Sequence, residues 1–131
     1  MQPARLIDLT VDAARATIQL VDVLPRRMAF YKIGGQLFDS GTSQAANYRA
    51  ARRARSTRDF IAKLKIVEEE SDESSFWIDR LFDAKLPTSL HIQSRRLQEQ
   101  FEQITRMTVA SLKTSRNRLR AERASRTTHR R

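Results

Sequence analysis

Apolar residues recur along this chain at alternating four- and three-residue intervals, the spacing that places side chains on one face of an α-helix. The first stripe, Ile7, Val11, Ala14, Ile18 and Val21, predicts a helix from about Arg5 to Leu24. Pro25 lacks a backbone N–H and ends it. A second helix is predicted from about Met28 to Arg55, with Phe30, Ile33, Leu37, Gly41, Gln44, Tyr48 and Ala51 on its inner face. Gly34, Ser40, Gly41 and Ala45 are small enough to let a neighbouring helix approach closely. The Gly34–Gly35 pair costs about 1 kcal/mol per glycine relative to alanine and marks a place for a kink. Ser56, with Asp59 three residues later, is expected to cap a third helix running to about Lys85. Its face holds Phe60, Leu64, Val67, Ser71, Ser74, Ile78 and Leu81. After Pro87, Thr88 or Ser89 is the expected cap of a fourth helix, which carries Leu90, Leu97, Phe101, Ile104, Thr108 and Leu112.

Glycine occurs only at 34, 35 and 41 and proline only at 3, 25 and 87, too little punctuation for strands and turns. Nothing repeats at the 20–50-residue period of a solenoid. Four amphipathic helices with short connections predict an all-α, antiparallel up-down four-helix bundle over residues 1–112. Pro25 and Pro87 interrupt the heptads that a long two-helix coiled coil needs. Residues 113–131 form a basic C-terminal extension of helix four or a flexible tail, polar enough to fray.

Two aromatic residues fall outside this pattern. At 100° per residue, Phe76 lies about 160° and Trp77 about 100° from the centre of the third helix's core face. Interfaces are enriched in aromatic anchors, and an exposed Phe beside a Trp is an adhesive patch. Phe76 is therefore expected at a contact between protomers of a homo-oligomer. Trp77 is divided between that role and packing inside its own bundle.

Composition narrows the class. The 131 residues suffice for one domain, and 40% apolar content for one modest core. No stretch approaches the ~18 apolar residues of a membrane span. The Met1–Gln2–Pro3 start has no basic-then-apolar signal segment. A cytoplasmic protein without membrane association is the expectation. The absence of cysteine excludes disulfides, thiolate metal sites and cysteine nucleophiles.

The net charge of +10 is unevenly spread. Residues 1–25 carry −1, 26–55 carry +6, 56–86 carry −3, 87–112 carry +1 and 113–131 carry +7. In the last segment Lys113, Arg116, Arg118, Arg120, Arg123, Arg126, Arg130 and Arg131 face only Glu122. Such a segment favours a polyanion, because each neutralised phosphate releases condensed counterions. No large apolar face accompanies the basic residues after Leu119, which weakens a membrane role. Arg49, Arg52 and Arg53 project together from the outer side of helix two, and Arg55 and Arg58 flank the following turn. The acidic run Glu68 to Glu73 is expected to pair with part of this group through Glu69, Glu70 or Glu73.

The chain offers little for catalysis. Glu70 and Glu73 have the spacing of a Glu-x-x-His metal motif, but Glu73 stands in place of the histidine. The two histidines, His91 and His129, have no such partner. Gly34–Gly35 is not followed by the Gly-Lys-Ser/Thr of a phosphate-binding loop. The expectation is no enzyme activity, no cofactor and no metal.

The stretch Ser40 to Trp77 resembles the bacterial four-helix bundle proteins encoded in intervening sequences of 23S ribosomal RNA genes. The matching positions are Ser40, Gly41, Thr42, Ser43, Ala46, Asn47, Arg49, Ser56, Asp59, Phe60, Lys63, Leu64, Glu70, Glu73, Phe76 and Trp77. Val109 to Thr114 also resembles the family's final helix. The chain is similar, too, to the accessory proteins of diversity-generating retroelements. The resemblance implies an up-down bundle assembled as a ring, a homopentamer, and partners that include nucleic acid and a reverse transcriptase. Gln44 departs from the usual Ile or Val and puts a polar group on the core face. Ala50 replaces a commonly acidic residue beside Arg49 and Arg53. Asn47 matches, and is expected to make a structural hydrogen bond.

Together these readings lead to a bacterial, basic, homo-oligomeric bundle that binds nucleic acid, RNA ahead of DNA. The candidate contacts are Arg49, Arg52, Arg53, Arg58, Lys113, Arg116, Arg118, Arg120 and Arg123, with Phe76 and Trp77 at the oligomer interface. The competing expectation is a scaffold whose ring docks a reverse transcriptase or another acidic protein.

Overall fold

The computed structural model describes residues 5–129 and contains four α-helices with no strand among them. They are α1 (Leu6–Asp22), α2 (Met28–Arg52), α3 (Thr57–Asp83) and α4 (His91–His129), with a short 3₁₀ turn over Thr88–Leu90. Consecutive helices pack side by side, and α4 closes the bundle against both α3 and α1. The architecture is the all-α four-helix bundle that the spacing predicts. The Met1–Gln2–Pro3 start and Arg130 and Arg131 lie outside the described residues.

The predicted inner faces of α2, α3 and α4 are the ones the fold buries. Phe30, Leu37, Leu64, Val67, Ile78, Leu81, Leu97, Phe101, Ile104 and Leu112 are buried. The face of α1 is displaced by one residue from the predicted stripe. Leu6, Thr10, Ala13, Thr17 and Leu20 are buried instead, and Ile18 is 47% exposed. Both stripes have helical spacing, so the larger apolar residues drew the prediction to the wrong one. The structure favours the slimmer stripe because α2 comes close there. A Cβ on Gly41 would stand 2.6 Å from Thr17 Oγ1. The threonines carry no polar penalty, since Thr10 Oγ1 donates to Ile7 O and Thr17 Oγ1 to Ala13 O. Gln44 is held in the same seam. Its Nε2 donates to Thr10 O at 2.7 Å and to Gly41 O at 2.9 Å.

Hydroxyl pairs cross both seams that α3 makes. Ser40 meets Ser74 at 2.8 Å between α2 and α3, and Ser71 meets Thr105 at 2.9 Å between α3 and α4. Farther along the second seam, Asp79 Oδ1 accepts from Gln98 Nε2 and from Arg95 Nη1. The Gln98 bond, then the Arg95 guanidinium, hold the Asp79 carboxyl below the usual aspartate range. The same Arg95 lies 3.7 Å from the centroid of Phe82.

Local chemistry sets the helix ends. Ser56 Oγ accepts from the Asp59 N–H at 3.0 Å, which is the expected cap of α3. α3 stops at Asp83, before Pro87, in a Schellman turn. Leu86 N–H donates to Leu81 O and Lys85 N–H to Phe82 O, with Lys85 at φ 66°. Thr88 lies within the 3₁₀ turn, whose cap is Pro87, and no side chain bonds there, so the expected Thr88 or Ser89 cap is replaced. α2 is continuous through Gly34–Gly35 and ends at Arg52.

Candidate nucleic-acid interface

α4 does not fray after Leu112. It stays helical to His129, with Ser115 buried and Leu119 half-buried against the bundle. One contact farther along pins it. Thr57 Oγ1, at the first residue of α3, donates to Glu122 Oε1 at 2.8 Å. The one carboxylate of the basic segment thus docks that segment against the α2–α3 turn.

Docking brings two stretches of positive charge, far apart in sequence, to one end of the bundle. Arg52, Arg55 and Arg118 line a cleft of about 320 Å³ together with Ser56, Thr57 and Phe60. Arg58, Arg123 and Arg126 line a second, of about 310 Å³, with Leu119 and Glu122. Ser56 and Thr57 belong to both clefts, so the first turn of α3 is the wall between them.

Of the nominated arginines, Arg52, Arg58, Arg118 and Arg123 converge here. Arg49, Arg53, Lys113, Arg116 and Arg120 line neither cleft. Arg120 Nη1 donates to Asn117 Oδ1 at 3.0 Å. Arg55 and Arg126 join the site from outside the nominated set. The signal for Arg126 was Glu122, a lone acid with Arg118 and Arg126 one turn to either side, and that for Arg55 was its place beside the turn that Arg58 also flanks. Asn47 Nδ2 donates to Ser43 O and Oγ within its own helix, a structural bond.

The acidic run does not neutralise this cluster. Among the described residues the ion pairs are Arg15–Asp12, Arg80–Asp83 and Arg95–Asp79, and none involves Arg49, Arg52, Arg53, Arg55 or Arg58. The expected pairing with Glu69, Glu70 or Glu73 fails because of register. Glu69 lies twelve residues into α3, about 18 Å along the axis from the turn where Arg52 sits. Across the Ser40–Ser74 contact the acidic run faces the middle of α2 instead. Burial, then the Glu73 charge, with Glu69 and Asp39 adding to it, raise the Glu70 carboxyl above the usual glutamate range. Acids surround it where arginines were expected.

The six arginines of this end are all exposed. Among the described residues no group of three or more His, Asp or Glu is placed to hold a metal ion. No described helix is long and apolar enough to cross a membrane. Phe76 is 46% exposed on α3, and Trp77 is half-buried against the main core.

No family model matches the chain, and no curated protein matches it. Among solved structures it is similar to a protein of unknown function from the S23 ribosomal protein family of Bacteroides thetaiotaomicron. The two are 27% identical with a TM-score of 0.76, over 83% of this chain and 99% of that one. In fold and in sequence, this four-helix bundle is similar to a member of the S23 helical family.

Proposed function

We propose that this chain is a basic, non-enzymatic, homo-oligomeric bundle that binds nucleic acid through its phosphates with little sequence preference. The observation that carries the reading is the gathering of Arg52, Arg55, Arg58, Arg118, Arg123 and Arg126 around Thr57, without an ion-pair partner among the described residues. Six guanidinium groups repel one another, and a polyanion relieves that repulsion while releasing counterions. RNA is favoured over DNA by the resemblance to proteins encoded within ribosomal RNA genes and by the ribosomal family of the structural neighbour. A ring of five, as the resemblance implies, displays five copies of the basic end, and linked weak contacts gain avidity.

Anisotropy titrations of labelled single-stranded RNA and DNA across a salt series test the reading. Wild type should lose affinity steeply as salt rises. Replacing Arg52, Arg58, Arg118 and Arg123 by Gln should flatten the log–log slope by about 0.7 for each phosphate no longer neutralised. An unchanged slope would remove this end as the site. Substitution is a cleaner probe than truncation after Lys113, which also strips the buried Ser115 and half-buried Leu119. A partner that survives nuclease treatment in a pull-down would favour the scaffold reading instead.

A further inference from the structure

We propose that Phe76 of one copy seats in the concavity at the α1–α2 corner of the next, joining copies of this chain head-to-tail. The proposal rests on the homo-oligomeric reading and supplies the receiving surface that it lacks.

Phe76 is a preformed knob. Its ring packs edge-on against Trp77, with centroids 4.9 Å apart and planes at 75°. The Arg80 guanidinium lies 4.6 Å from the Phe76 centroid. Trp77 is itself held by a 3.3 Å hydrogen bond from Nε1 to Glu73 Oε1. A side chain already ordered loses little freedom on docking.

The receiving surface has the right chemistry. A concavity of about 550 Å³ is walled by Val21, Leu24, Phe30, Tyr31 and Phe38, with Gly35 between them. Nothing lies within 4 Å of where a Gly35 Cβ would stand, so the missing side chain leaves room. Tyr31 is 76% and Met28 71% exposed at the mouth. Ile18, one turn before Val21 on α1, is also exposed.

Charge matches across the pair. Arg26 and Arg27 line the concavity on one side and Asp39 on the other. Asp72 and Glu73 lie one turn before Phe76 on α3, and Arg80 lies one turn after it. The acidic run makes no ion pair among the described residues of its own chain, which leaves its carboxylates open to the arginines of the concavity.

Height along the bundle decides the kind of assembly. Ser40 and Ser74 are in contact, so Phe76, two residues on, stands level with Phe38, two residues back. Phe38 is itself a wall of the concavity. Knob and receptor therefore share one level but belong to different helices, since only α1, α2 and their turn line the concavity. Copies joined with their bundle axes parallel are then related by rotation with little rise, the operation that can close a ring where a rise builds a filament.

Two variants test this. Phe76→Ser removes the knob, and Gly35→Leu fills the receptor at an open helical position that a better helix former tolerates. By sedimentation velocity, wild type should be an oligomer and each variant a monomer, with unchanged helical circular dichroism. Mixed one-to-one, they should form a heterodimer and nothing larger, because one knob and one receptor remain intact. Wild-type oligomer with either variant still assembled would overturn the proposal and leave the homo-oligomeric reading standing. Two monomeric variants that do not pair would also overturn it. A monomeric wild type at high concentration would overturn both.

Discussion

At the α1–α2 end, Leu20, Phe30, Leu37, Ile78, Leu81 and Leu97 are buried among all four helices. At the α2–α3 end, by contrast, a second cluster of buried apolar residues holds only Ala51, Leu64 and Leu112, beneath the six gathered arginines. The hydrophobic effect scales with area removed from water, so the first end carries most of the stability. The second keeps enough core to hold like charges together at a cost. A bundle selected for stability alone would scatter those arginines. Their gathering, with one carboxylate used as a latch, marks the end where an anion is expected.

Core truncations should separate the two ends most clearly. Phe101→Ala, in the larger cluster, should destabilise by about 3–5 kcal/mol in denaturant unfolding, and Leu112→Ala by about 2–3 kcal/mol. The smaller cluster, with fewer buried apolar neighbours, can relax around the loss. Equal costs per carbon removed would mean that the arginine end is as well packed as the other.

Gly41→Ala probes the seam between the two halves. The added Cβ would meet Thr17 Oγ1 at 2.6 Å and Cγ2 at 2.8 Å, well inside normal contact. The expected cost is about 1–3 kcal/mol from forced separation of α1 and α2. Pairing it with Thr17→Ala should recover part of that cost, and no recovery would place the strain elsewhere.

The smallest effect concerns the acidic run. The folded-state pKa of Glu70 is raised, mainly by burial and then by Glu73. A raised carboxyl contributes stability below its unfolded pKa and loses that contribution as pH rises through the folded value. Glu70→Gln should therefore stabilise the protein at neutral pH by about 0.2–0.5 kcal/mol, as relief of a like-charge neighbour does. The gain should vanish in acid. Destabilisation at neutral pH would instead mean that Glu70 has a cationic partner.

Much of this was legible in the chain. The apolar periodicity of α2, α3 and α4, the Ser56 cap and the outward position of Phe76 follow from 3.6-residue geometry and local hydrogen bonding. α1 misled because two stripes one residue apart share that geometry. The choice between them rests on Gly41 and Thr17, which touch only after folding. The pairing of Arg49, Arg52 and Arg53 with the acidic run failed for a similar reason. Sequence distance says that α2 and α3 are neighbours, but only the register shows which turns face each other.

The sequence by itself determined the number of helices, most of their buried faces and the amount of positive charge, because these depend on neighbours within a few residues. Tertiary structure decided where that charge gathers. The Thr57–Glu122 contact joins residues 65 positions apart. Through it, a segment polar enough to fray remains helical and adds its arginines to those of the α2–α3 turn. Long-range docking of this kind has no periodic signature, since it depends on helix length and register together.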